Sequence, residues 1–190
     1  MSKRPAEAYT RDEINTLLSQ CNTRYATGLR DKALIMILWR SGLRINEALE
    51  LRLKDIHFQE SEIRVLHGKG ERARTVGLDV MSAGVLRLWI ERRRAIVKQP
   101  GTPLFCSTTG NKLHQANVRK MLNRRAAKAG IEKRVHPHGF RHTYSQELVR
   151  ENTNVKYIQQ LLGHASLATT DTYLQGLGSF DAVELSKNRV

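Results

Sequence analysis

Apolar residues along this chain recur mostly at spacings of three and four, the period of a helix with one buried face. The first such stretch opens on Thr10-Arg-Asp-Glu13. This is a capping box: the Thr10 hydroxyl can accept from the Glu13 amide while the Glu13 carboxylate reaches back to the amide of Thr10. The pattern predicts a helix from there to about residue 21, with Ile14, Leu17 and Leu18 on one face. A second helix over 27–41 is apolar all round at its centre, which predicts burial on several sides, and Gly42 stops it. Arg44 opens a short third helix with Ile45, Ala48 and Leu49 inward. Alternation and β-branched residues then predict strands over 62–66 and 73–78, joined through the glycine-bearing turn His67-Gly-Lys-Gly-Glu-Arg72 as a hairpin. A fourth helix over about 81–97 is expected to turn Val85, Leu88 and Trp89 inward and Glu91-Arg-Arg-Arg94 mostly to solvent. A loop at 100–103 and a short extended piece at 104–107 follow. The next helix, 115–129, has the core stripe Val118, Met121, Leu122 and Ala126 and ends at Gly130. Pro137 suits the first turn of a helix reaching about residue 150, and another runs over 154–162 to a stop at Gly163. Ser166 is placed to cap a last helix holding Tyr173, and 180–185 reads as one more short helix. There is no internal repeat. The class is mainly α with one small antiparallel sheet, an α+β chain.

Charge changes this picture more than size does. The 190 residues, 40% of them hydrophobic, fit one domain with a sizeable core. The 32 basic against 18 acidic residues leave a net charge of +14, which favours a polyanionic partner, nucleic acid above all. No predicted helix is basic on one face and rich in Trp or Phe on the other, so an anionic membrane surface is disfavoured. The longest apolar run, residues 33–39, is far short of the roughly 20 residues that span a bilayer. The opening Met-Ser-Lys-Arg-Pro has no apolar segment of a signal peptide. Cys21 and Cys106 make neither a disulfide framework nor a zinc site and read as small core residues of a cytoplasmic protein. His138 and His142 have a metal-ligand spacing, but no third ligand accompanies them, so no metal is expected.

Arg44, His138, Arg141, His164 and Tyr173 together offer a phenol, two guanidinium groups and two imidazoles. That set suits the breaking and rejoining of a phosphodiester. Arginine matches two phosphate oxygens with a planar fork and keeps its charge. Tyrosine, with an unperturbed pKa of about 10, needs neighbours that stabilise its phenolate. A covalent phosphotyrosine would keep the bond energy, so that rejoining needs no ATP. His138 and Arg141 stand three apart on one helix and so lie side by side, as do Arg44 and Glu47. The Gly163 stop can turn His164 into a cleft. His142 and His136 read as structural, and Tyr9, Tyr25, Tyr144 and Tyr157 as packing or surface residues.

Three segments, Ser41-Gly-Leu-Arg-Ile-Asn-Glu-Ala-Leu49, His136-Pro-His-Gly-Phe-Arg-His-Thr143 and Leu161-Leu-Gly-His-Ala-Ser166, followed by Tyr173, resemble the catalytic domain of the tyrosine recombinases, the phage integrase family that includes Xer-type enzymes. The resemblance spans nearly the whole chain. It implies that Arg44 and Arg141 bind the scissile phosphate and that Lys69 protonates the leaving 5′ oxygen. By the same resemblance His138 positions groups and transfers protons, His164 hydrogen-bonds a phosphate oxygen, Tyr173 is the nucleophile and Glu47 steadies Arg44. The implied reaction is site-specific strand exchange through a 3′-phosphotyrosine and a Holliday junction, with no cofactor. The alternatives are DNA relaxation of the type IB topoisomerase kind, or a DNA-binding relative without catalysis.

The implied partner is double-stranded DNA, held by four protomers and compatible with a monomer when free, in a cytoplasmic, nucleoid-associated setting. Arg119, Lys120, Arg124, Arg125 and Lys128 crowd one helix and are expected to meet the DNA backbone. Residues 1–9 read as an extension, 10–178 as the catalytic domain and 179–190 as a tail exchanged between protomers. Nine residues precede Thr10, where most of the family carries a separate helical domain. The chain is therefore read either as an excised catalytic domain or as a short single-domain member.

Overall fold

The computed structural model describes residues 8–66, 73–97, 99 and 101–163. The expected helices around Tyr173 and over 180–185, the Ser166 cap and the hairpin turn 67–72 lie outside the described residues. Within them the chain forms α1 (Arg11–Ser19), α2 (Ala26–Arg40) and α3 (Ile45–Glu50), then a 3-10 turn (Leu53–Asp55). Three strands follow, β1 (Ile56–His57), β2 (Glu62–Val65) and β3 (Arg74–Gly77), and then α4 (Val80–Ile96), α5 (Gln115–Lys128), α6 (Pro137–Arg150) and α7 (Val155–Leu162). The mainly α class with a small antiparallel sheet holds.

The central element is α2. Its residues from Ala33 to Trp39 are all buried, and it packs against both α4 and α6. The capping box predicted for α1 is present in both directions, Glu13 N–H to Thr10 Oγ1 at 3.2 Å and Thr10 N–H to Glu13 Oε2 at 2.7 Å. Gly42, just past α2, has φ +61°, and a Cβ there would come within 2.2 Å of the Tyr144 ring. Backbone conformation and close packing therefore both require glycine at this stop.

The sheet runs β1-β2-β3, antiparallel throughout. Ile63 pairs with Ile56 on one side and Val76 on the other. Ile63 and Val65 face the core and Glu62 and Arg64 face out, so a one-residue slip would expose the whole apolar set. β1 and the 3-10 turn before it went unread in the sequence, because two residues are too few to show a period. The second strand stops at Val65, and Leu66 is exposed.

Two helix faces differ from expectation. On α4 the inward residues are Ser82, Leu86, Trp89, Ile90 and Arg93, while Leu88 is 57% exposed. The helical period from Trp89 reaches Leu86 and Arg93; Leu88 lies off that stripe. Arg93 is therefore buried rather than solvated, and its guanidinium donates to the carbonyls of Thr102 and Pro103. On α5 the predicted stripe of Val118, Met121, Leu122 and Ala126 is buried, but Arg125 lies on the same stripe. Its guanidinium pairs with the buried carboxylate of Asp31 on α2, which Arg30 also holds at 2.7 Å. Arg125 thus leaves the set of residues proposed to meet DNA. Arg119, Lys120, Arg124 and Lys128 are exposed. Cys21 and Cys106 are buried free thiols, and burial pushes the Cys21 thiol up to about 11. Among the described residues no helix is long and apolar enough to cross a membrane.

This geometry separates two arginines that are neighbours in sequence. Arg125→Ala strips Asp31 of one of two cations and is expected to cost about 2–3 kcal/mol, a fall in Tm of roughly 4–12 °C. Arg124→Ala is expected to move stability by less than about 0.5 kcal/mol. Thermal denaturation of the two variants side by side checks the assignment, and equal melting points would contradict it.

Candidate active site

The site grows from the end of one helix. α7 stops because Gly163 takes a left-handed conformation, φ 63° and ψ 45°. The last carbonyls of a helix have no partner within it and carry the negative end of the helix dipole. Here three arginines from three different elements reach the three final carbonyls. The Nε–H of Arg74, on β3, donates to Leu161 O at 2.8 Å. Arg141, on α6, donates through Nη2 to Leu162 O. Arg44, at the N-cap of α3, donates through Nη2 to Gly163 O at 3.1 Å. In sequence the next residue is His164.

One carboxylate joins two of these arginines. Glu47 is 7% exposed, and its Oε1 and Oε2 accept from Arg74 Nη1 at 2.9 Å and Nη2 at 2.7 Å. The same carboxylate accepts from Arg44 Nη1 at 3.1 Å and from the Arg44 amide at 2.8 Å. The spacing of three between Arg44 and Glu47 makes this local pair legible in sequence; Arg74 is 27 residues away. Burial acts to raise the Glu47 carboxyl, but the hydrogen bonds and charge of Arg74, the Arg44 amide and the charge of Arg141 bring it below its ordinary value.

The two arginines expected to clamp phosphate differ in access. Arg44 keeps 35% of its side-chain surface exposed, so its guanidinium is presented at the surface. Arg141 is 2% exposed and spans from Leu162 O to Gly42 O, the latter at 2.8 Å. It ties the stop of α2 to the end of α7.

Three residues before Arg141, the start of α6 presents the histidine. His136 caps α6, its Nδ1 accepting the Gly139 amide at 3.2 Å, and Pro137 fills the first turn. Tyr9 fastens this start from outside. Its hydroxyl accepts the His136 amide at 2.9 Å, its amide donates to Thr143 Oγ1 at 2.8 Å, and its ring lies 5.0 Å from that of Phe140. The packing role read for Tyr9 is therefore anchorage of the site helix. His138 is open to solvent, with its ring stacked 6.5 Å from that of His136. The protein packed around His138, then the charges of Arg141, His136, His142 and Arg44, hold its imidazole below the usual histidine value. It is therefore neutral at pH 7 and able to accept a proton. Burial likewise lowers the buried His142, whose Nε2 lies 3.3 Å from Gln146 Nε2.

Arg44, Glu47, His138 and Arg141 thus come together, as their spacing and resemblance led us to expect. Lys69, His164 and Tyr173 lie outside the described residues. Arg74 was missed: in the sequence it is one of several cations near Lys69, and only the β3 register distinguishes it. The basic face of α5 adjoins the site through Arg119, which contacts Gln115 at 3.2 Å and whose charge reaches His136. Gln115 in turn bonds Asn46 on α3. Among the described residues no group of three or more His, Cys, Asp or Glu is placed to hold a metal ion.

Glu47→Gln leaves two guanidinium groups facing a neutral amide and is expected to cost about 3 kcal/mol near neutral pH. The folded-state carboxyl lies below its ordinary 4.5, so the stability it contributes is fully present above that value and is lost as pH falls through the lowered one. The gap in Tm between the parent and Glu47→Gln should therefore be widest at neutral pH and close in acid. A gap independent of pH would show that the carboxylate charge does not hold this junction.

Comparison with known proteins identifies the family. The phage integrase family pattern matches residues 7–177. The chain is 33% identical over 165 residues to the tyrosine recombinase XerD of Listeria innocua serovar 6a, an alignment covering 85% of this chain and 55% of that protein. It resembles the crystal structure of XerA recombinase with a TM-score of 0.81 at 30% identity, over 90% of this chain and 61% of the other. It also resembles XerH site-specific recombinase bound to a palindromic difH substrate in a post-cleavage complex. That TM-score is 0.79 at 27% identity, over 97% of this chain and 53% of the other. The chain thus spans little more than half the length of the curated relative it matches. With the paired arginines, the buried glutamate and the histidine gathered at one helix end, and this match over nearly all of its length, the chain belongs to the phage integrase family of tyrosine recombinases.

Proposed function

We propose that this chain is the catalytic part of a site-specific DNA recombinase, with residues 10–178 as the catalytic unit. The observation that carries the reading is the convergence of Arg44, Arg141 and Arg74 on the last carbonyls of α7, immediately before His164. The charges of Arg44 and Arg141 acting on a neutral His138 support the same reading. A scissile phosphate at this site would lie against Arg44, with its developing charge met by groups that need no rearrangement. XerH, a structural relative, is captured with its difH substrate after cleavage.

In the proposed reaction the Tyr173 hydroxyl oxygen attacks phosphorus as its proton passes to His138. The bond from phosphorus to the 5′ oxygen breaks, and that oxygen takes a proton from Lys69. The 3′-phosphotyrosine retains the ester, and attack by a 5′ hydroxyl of a second strand reverses the steps and yields a Holliday junction. The chemistry draws on neither ATP nor metal, since the arginines supply the charge and the covalent ester keeps the bond energy. Four protomers on two duplexes, joined by residues 179–190, complete the proposed assembly. Arg119, Lys120, Arg124 and Lys128 meet the duplex backbone, so that binding weakens steeply with salt.

A nicked suicide duplex should leave a covalent protein–DNA adduct on a denaturing gel, with or without EDTA. The adduct should vanish in Tyr173→Phe, and Arg44→Ala should slow its formation by about 10²–10³-fold. An undiminished adduct in Tyr173→Phe would falsify the nucleophile assignment. The single-turnover rate also has an expected pH profile. His138 is neutral above the ordinary histidine range, so the acid limb of the rate should lie below about 6.5. A His138→Gln protein that kept the same acid limb would exclude this histidine as the proton acceptor.

A further inference from the structure

We propose that Arg74 is a positioning residue for strand cleavage, acting through Glu47 on Arg44 and on the end of α7. The proposal rests on the strand-exchange reading above and adds a residue to it. Three observations carry it. First, Arg74 is buried, with 8% of its side chain exposed, so it does not itself face DNA. Second, its guanidinium works in two directions. The Nη1 and Nη2 edge grips both oxygens of Glu47, while the Nε edge donates to Leu161 O. Third, the elements joined are those that hold the chemistry. Glu47 orients the Arg44 side chain and caps α3 through the Arg44 amide. Leu161 lies three residues before His164, and Arg74 itself begins β3, five residues after Lys69.

The planar fork explains why arginine is needed. A lysine ammonium would keep the charge but is one point on a flexible stem. It cannot grip a carboxylate edge-on and a helix carbonyl behind it at fixed angles. Gly163 packs against the same group: a Cβ there would lie 2.9 Å from Arg74 Nη1. The guanidinium is thus seated between the helix stop and the carboxylate. Its loss would let Arg44 and the end of α7 shift relative to each other while the core stays intact. A misplacement of about 1 Å at a reacting centre costs on the order of 10²-fold in rate.

The test uses the full chain and two charge-conserving variants, Arg74→Lys and Glu47→Asp. The readouts are duplex affinity, Tm, and the single-turnover rate of adduct formation at saturating suicide duplex. Both variants should bind the duplex within about threefold of the parent, since phosphate contacts at other residues dominate affinity. Both should cleave about 10²-fold more slowly. The combined variant should be no slower than the worse single one, because the two side chains act as one unit. Two results overturn the proposal. One is parental cleavage by a folded Arg74→Lys or Glu47→Asp protein. The other is loss of rate matched by equal loss of duplex binding or by unfolding in both variants, which would make the junction structural only. A parent chain that forms no adduct sinks the strand-exchange reading itself, and this inference with it.

Discussion

A carboxylate with 7% of its surface exposed stays charged only if cations and donors replace the water it has lost. Glu47 meets that condition with Arg74 on one edge and the Arg44 side chain and amide on the other. The reverse also holds: each buried guanidinium needs an anion or carbonyl, and the orphan carbonyls ending α7 supply the rest. The site is thus an interlocked network in which each member fixes the next. The proposed strand cleavage draws on such a network, because groups already held in place stabilise developing charge without reorganisation.

The remaining fold holds these elements at the correct distance. α2 is buried along its centre, and its stop at Gly42 brings Arg44 to the start of α3 with the Gly42 carbonyl turned to Arg141. The three-stranded sheet sets the register of β3 so that Arg74 reaches α7, which packs on both β3 and α6. Tyr9, before the first helix, fastens the start of α6 and so the backbone that carries His138 and Arg141. A second buried carboxylate, Asp31, is held by Arg30 and Arg125 away from this set. That pairing contributes to the core and takes no part in the network around Glu47.

Most elements were legible from the chain because their signals are local. Capping boxes, glycine stops and apolar spacing of three and four fix helices such as α1, α5 and α7 without reference to anything distant. The misread faces of α4 and α5 share one cause. Leu88 and Arg93 were assigned by residue type, apolar in and charged out, although the helical period of Trp89 points the other way. Arg125 was grouped with its basic neighbours, although it lies on the stripe of Val118 and Leu122. The period outweighed polarity at Arg93 and Arg125 because an arginine can enter a core when carbonyls or a carboxylate await it.

The sequence by itself determined the helices among the described residues, the antiparallel pairing of β2 and β3, the local Arg44–Glu47 and His138–Arg141 pairs and, through its motifs, the family. These depend on neighbours within a turn or two of chain, or on short motifs that stand in order along it. Only the tertiary structure decided that Arg74 shares Glu47 with Arg44, that Arg141 is buried while Arg44 is presented, and that Arg125 belongs to the core. Those facts turn on which charged groups meet across 27 to 119 residues, and the pairing of ionic partners in a low-dielectric interior leaves no periodic trace in the chain.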